Sequence, residues 1–160
     1  MTGQSGEKGS QVTGEAEDTG LPELLHTVID TTEPRMLAEF YRQLLGYVYR
    51  PGDAPTDGRS SGTSAEPEVP DWLVLTDASG NRKLAFQLVD RLKPTTWPAT
   101  DIPMQMHLDL TVPNRTTLER QRQRAEGLGA ELRVERTHDE DEPLYVFTDP
   151  SGHPFCIFVA

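Results

Sequence analysis

The chain has 160 residues, 35% of them hydrophobic, a formal net charge of −11 and one cysteine. That length allows one domain or two small fused modules. The acidity argues against a phosphate backbone as partner and would draw a cationic ligand, while the lone Cys156 excludes an internal disulfide and fits a reducing cytoplasm.

Residues 1–20, MTGQSGEKGSQVTGEAEDTG, hold almost no large apolar side chain and read as a disordered tail. They lack the basic start and apolar run of a secretory signal. No apolar stretch approaches the roughly 20 residues that span a bilayer, so no membrane partner is expected. LLHTVID (24–30) reads as a strand. TTEPRMLAEFYRQLLG predicts a helix, with Thr32 as N-cap, Glu33 at the positive end of the dipole and Pro34 in the first turn. Met36, Leu37, Phe40, Leu44 and Leu45 form its apolar side, and Gly46 ends it. YVYR (47–50) is a strand. Residues 51–70, rich in Pro, Gly and Ser, form a long loop of the lid or insertion kind. DWLVLTD and KLAFQLVD are strands around the turn DASGN (77–81), and RLKPTTWPATDIP (91–103) is a linker.

After the linker, MQMHLDLTV (104–112) alternates without a break. It predicts a strand with Met104, Met106, Leu108, Leu110 and Val112 on one face and Gln105, His107 and Asp109 on the other. Residues 113–129 predict a helix with Leu118, Ala125 and Leu128 apolar and Gly129 at its end. AELRVER, LYVFTD and FCIFVA are strands, with the acidic loop THDEDEP and the turn DPSGH (149–153) between them. The two halves match element by element, down to the Leu-Gly pairs at 45–46 and 128–129 and the Asp-x-Ser-Gly turns. The repeat predicts two βαβββ modules, 21–90 and 104–160, each a half-covered sheet that needs the other.

FYRQLLGY, LAFQLVD, MQMHLDLTV, GLGAELRVE and DPSGHPFCIF carry a further resemblance. From about Leu24 to Ala160 the chain resembles the vicinal oxygen chelate superfamily, the glyoxalase/bleomycin-resistance/dioxygenase fold. The resemblance implies an α+β architecture: a curved mixed-sheet cup, helices outside, a ligand cavity on the concave face. Gln105, His107 and Asp109 would face that cavity.

Metal-using members of the superfamily take ligands from the first and last strands of each module. The matching positions here are His26, Gln87, His107 and Cys156. Hard octahedral cations want carboxylate oxygen, which neither closing strand supplies. Two histidines and a cysteine suit Zn²⁺ better, but a neutral amide is a poor fourth ligand. The expectation is therefore no resident metal or cofactor, a divalent metal being the exception, with the histidines as hydrogen-bonding groups.

The candidate catalytic pair is His107 with Asp109 to orient it. The candidate ligand-binding residues are His26, Gln87, Gln105, His107, Cys156, Tyr145 and Trp97. Trp72 is a further aromatic of interest. The bland alternatives are solvated histidines, a core-like Cys156 and a Trp97 that merely packs the linker; His138 and His153 read as solvated.

By resemblance the function is to bind or sequester a small hydrophobic or cationic compound, as a cytoplasmic homodimer. The alternatives are an enzyme of lyase, isomerase or dioxygenase type, using His107 and Asp109 or a metal, and an accessory domain with a vestigial pocket.

Overall fold

A computed structural model describes residues 22–55 and 69–160. The expected tail and most of the 51–70 loop lie outside the described residues. The chain runs β1 (Thr27–Thr31), α1 (Pro34–Leu45), β2 (Val48–Tyr49), β3 (Trp72–Thr76), β4 (Arg82–Leu88), β5 (Leu108–Val112), α2 (Arg115–Gly127), β6 (Glu131–Arg136), β7 (Leu144–Thr148) and β8 (Pro154–Val159). Two four-stranded sheets form, in the orders β1-β4-β3-β2 and β5-β8-β7-β6. In each, the opening strand pairs parallel with the closing one and the remaining pairs are antiparallel. The repeat read in the sequence is thus a repeat of topology, and the fold is the expected α+β pair of βαβββ modules.

α1 begins at Pro34, whose missing N–H costs nothing in the first turn. The N-cap is Glu33 rather than Thr32. Thr31, one residue earlier than expected, accepts the Glu33 N–H on its hydroxyl at 3.0 Å. Gly46 closes the helix with φ 70°, in the left-handed region that suits glycine. The buried stripe is Pro34, Leu37, Ala38, Phe40, Tyr41 and Leu44. Met36, expected inside, is 40% exposed. The stripe centres on the 37–41–44 line, so Met36 falls on its flank while the unexpected Tyr41 falls on its axis. α2 is capped by Asn114, whose side chain accepts the Thr117 N–H at 2.8 Å. It buries only Leu118 and Ala125.

Both opening strands start later than the sequence suggested. β1 begins at Thr27, leaving Leu24 and Leu25 exposed. Its first pair is Thr27 with Leu84, next to Lys83, where β4 bulges against β3 and the ladder is interrupted. β5 begins at Leu108, paired with Phe155. The residue before Phe155 is Pro154, which has no N–H to extend the ladder, and Met106 is left 72% exposed. Within β5 the alternation holds: Leu108, Leu110 and Val112 pack on the core while Asp109 and Thr111 are exposed.

One core serves both modules. Tyr41 of α1 stacks on Phe86 of the first sheet at 5.9 Å and meets Phe155 of the second at 6.4 Å. Phe40 also meets Phe155, which in turn stacks on Phe147 at 5.2 Å. Around this aromatic centre the turn DPSGH clasps the first module. The buried Asp149 accepts from the Tyr41 hydroxyl at 2.9 Å, Ser151 and Thr31 share a hydroxyl bond of 2.8 Å, and His153 Nε2 donates to the Asp30 carbonyl at 2.7 Å. The two modules therefore pack against each other within one chain.

Candidate functional site

Each sheet has one face on the shared core, and on the opposite face of the second sheet Leu144, Val146 and Cys156 open onto ligand space. Asp109 of β5 and Cys156 of β8 are register partners on the parallel pair that closes the second sheet. His107 stands two residues before Asp109, and its Nε2 lies 3.4 Å from an Asp109 carboxylate oxygen. The ligand-capable atoms of His107, Asp109 and Cys156 all lie within 4.8 Å of one another. Burial pushes the Cys156 thiol up to about 11, and the charge and hydrogen bond of Asp109 push the same way. A thiol held protonated at neutral pH is a poor nucleophile.

This cluster adjoins a cavity of about 260 Å³ lined by Leu144 and Val146 of β7, Cys156, Trp97, Met104 and His107. β7 is buried from end to end. Tyr145 and Phe147 belong to the core, and Leu144 and Val146 make the apolar wall of this cavity. Trp97 comes from the inter-module linker and closes the apolar side. Arg136 of β6 also lines it, within 3.4 Å of Asp139.

A larger cavity of about 770 Å³ lies between the modules. Asp30, Gln87, Lys93, Gln105 and His153 line it, and His107 lines both cavities.

The family model of the glyoxalase-like domain matches residues 26–158. The chain belongs to the glyoxalase-like domain family. Solved structures agree on the fold. A glyoxalase/bleomycin resistance protein/dioxygenase family enzyme from Burkholderia phytofirmans PsJN has 16% identity and a TM-score of 0.57, over 86% of this chain and 98% of that one. The fosfomycin resistance protein FosX from Listeria monocytogenes, in complex with Mn(II) and sulfate, has 13% identity and a TM-score of 0.58, over 88% of this chain and 93% of that one. FosX from Mesorhizobium loti has 11% identity and a TM-score of 0.56, over 88% and 93%. Comparison with curated proteins gives no match.

In this glyoxalase-like domain the four positions that correspond to the superfamily's metal ligands do not share a cavity. His26 lines neither cavity; its ring meets Trp72 edge-on at 6.1 Å, and its Nδ1 is buried with no partner among the described residues. Gln87 lines only the larger cavity and Cys156 only the smaller. The four-ligand set does not fit a single ion.

Of the other candidates, Gln105 lines the larger cavity and Trp97 the smaller. Tyr145 is a correction. Its hydroxyl donates to Glu119 of α2 at 2.9 Å, its ring packs in the core, and it reaches neither cavity. Tyr145 shares the inward parity of Phe147, and that parity sends it to the helix side. His153, read as solvated, lines the larger cavity and ties it to β1. Sequence patterning passes over Arg136, Leu144 and Val146, and it sets Met104 on the face opposite His107, whereas the two line both cavities together because β5 begins only at Leu108. The one available signal was that β7 is apolar on both faces, as a strand between a core and a pocket must be.

Proposed function

We propose that this glyoxalase-like domain binds, and holds without transforming, a small organic molecule with an apolar body and a cationic or hydrogen-bond-donating head. The observation that carries this reading is the smaller cavity: Trp97, Met104, Leu144 and Val146 around an apolar interior, with His107 in its lining and Asp109 next to it, 3.4 Å from the imidazole. Apolar walls with a few convergent polar groups are the usual make-up of a small-molecule site. Among the described residues Asp109, whose side chain is 56% exposed, has only His107 as an ion partner, whereas Arg136 is already paired with Asp139. A cation or donor is therefore the head group the site favours. The high thiol of Cys156 supports holding over covalent catalysis. The fosfomycin resistance structures contribute the fold alone to this reading.

The test is fluorescence and thermal-shift titration, in chelator, with an aryl-ammonium series and its neutral and carboxylate isosteres. The ammonium compounds should bind best, Trp97→Ala should lose binding by tenfold or more (about 1.4 kcal/mol), and Asp109→Asn should erase the preference for cations. Equal binding of the carboxylate isosteres would sink the charge assignment. Absence of binding by the whole series would sink the site.

A second reading, an enzyme with His107 as base and Asp109 as its orienting partner, is favoured by the 3.4 Å contact between them. It requires that His107→Ala abolish turnover while leaving binding intact. A cytoplasmic homodimer goes with either reading. Among the described residues no helix is long and apolar enough to cross a membrane.

A further inference from the structure

We propose that His107, Asp109 and Cys156 form a binding site for one zinc-like divalent ion, built entirely on the second module. The proposal goes beyond the organic-ligand reading and does not depend on it; a bound ion and a cationic head group would compete for Asp109, which is why that reading is tested in chelator. Asp109 and Cys156 are brought together by the β5/β8 register, and His107 joins from the residue just before β5. Their donor atoms lie within 4.8 Å of one another, with His107 Nε2 and Asp109 Oδ1 at 3.4 Å. Ligand atoms about 2.0–2.3 Å from a tetrahedral zinc stand roughly 3.2–3.8 Å apart, so rotamer adjustments on the order of 1 Å complete the site.

The donors decide the metal. Imidazole, carboxylate and thiolate are the three protein ligands zinc takes, whereas a sulfur donor turns away Mg²⁺, Ca²⁺ and Mn²⁺. Coordination breaks the Cys156 S–H bond, forms the metal–sulfur bond and sends the proton to the buffer. Three protein ligands leave a fourth position for water or for an atom of a molecule in the adjoining cavity, which His107 and Cys156 both line. The arrangement departs from the superfamily's inter-module set. It uses two of those four positions, and Asp109, from an opening strand, supplies the carboxylate that both closing strands lack.

The test uses the full chain, free of any affinity tag, stripped with chelator and titrated with Co²⁺ alone as a spectroscopic probe. The expected result is one equivalent bound, with a thiolate-to-cobalt charge-transfer band in the near ultraviolet that one equivalent of Zn²⁺ abolishes. Cys156→Ser should lose that band. Asp109→Asn and His107→Ala should each weaken Zn²⁺ by at least about tenfold, the range seen even for groups one shell further out. Gln87→Ala should leave Zn²⁺ affinity unchanged. A full chain that binds Co²⁺ without a charge-transfer band overturns the proposal, as does one that binds none. Gln87→Ala weakening the metal as much as Asp109→Asn also overturns it, in favour of an ion between the modules. No organic compound is present, so failure here leaves the ligand reading standing, and failure of that reading leaves this one.

Discussion

Asp149 shows how much one residue can report. It is 3% exposed, and burial raises its carboxyl above the usual value against the opposing pull of nearby His153 and the N–H groups it accepts. A carboxyl whose folded pKa is raised binds its proton more tightly in the folded state than in the unfolded one. Its contribution therefore favours folding at low pH and is lost as pH rises from about 3.8 through the raised folded value. Asp149→Asn keeps an oxygen for the Ser151 and His153 N–H groups and removes the buried charge. In urea melts from pH 4 to 8 the variant should lose part of the pH dependence and match or exceed the parent's stability at pH 7. Asp149→Ala should instead lose about 1–3 kcal/mol, because the Tyr41 hydroxyl and both N–H groups lose their acceptor. The sequence marks Asp149 as a turn residue, and that much was legible. Its partner Tyr41 was not, because nothing in helical spacing says that a tyrosine on the apolar stripe will point its hydroxyl at a turn 108 residues away. The side on which Asp109 stands was legible for the opposite reason: alternation within β5 places it away from the core without any knowledge of packing.

Elements that look alike in sequence are not alike in load. The turns DASGN and DPSGH match, and their glycines share a left-handed backbone, φ 86° at Gly80 and φ 92° at Gly152. A β-carbon at Gly80 would meet open space, whereas one at Gly152 would stand 2.5 Å from the Pro94 β-carbon. The first turn faces outward, and the second is wedged under the linker. Gly80→Ala should cost about 1–2 kcal/mol, the penalty for a side chain in the left-handed region. Gly152→Ala should exceed it by at least about 1 kcal/mol, since proline offers no flexible end to move aside. Urea denaturation of the two variants side by side measures the difference; equal losses would show that the linker yields. The order of elements was readable because Leu-Gly helix ends and Asp-x-Ser-Gly turns punctuate both halves. The starts of β1 and β5 were not. They depend on a bulge and a proline in partner strands about 50 residues further on, and periodicity within a strand carries no information about its neighbour's ladder.

At the scale of the molecule, the two half-covered sheets close on each other within the chain. Their packing rests on few residues. Tyr41 and Phe40 of α1 reach across to Phe155, and Phe155 binds them to Phe147. Arg124 of α2 returns the contact by donating to the carbonyls of Gln43 and Leu44 at the end of α1. The second half has no finished core alone: α2 buries only Leu118 and Ala125, too little apolar surface to cover its own sheet, and Phe40 and Tyr41 of α1 complete it. The modules should therefore unfold together. Trp72 reports from the first sheet and Trp97 from the linker over the second, so Trp97→Phe and Trp72→Phe leave one reporter each. In urea, the two single-tryptophan proteins and far-ultraviolet circular dichroism should give coincident transitions. Phe155→Ala removes a fully buried ring from the centre of the shared core and should lower stability by about 3–5 kcal/mol. Because that ring belongs to both halves, it should move both reporters by the same amount. A Trp97 transition that shifts while that of Trp72 stays put would mean two independent cores, and the cavity between the modules would then have no fixed walls.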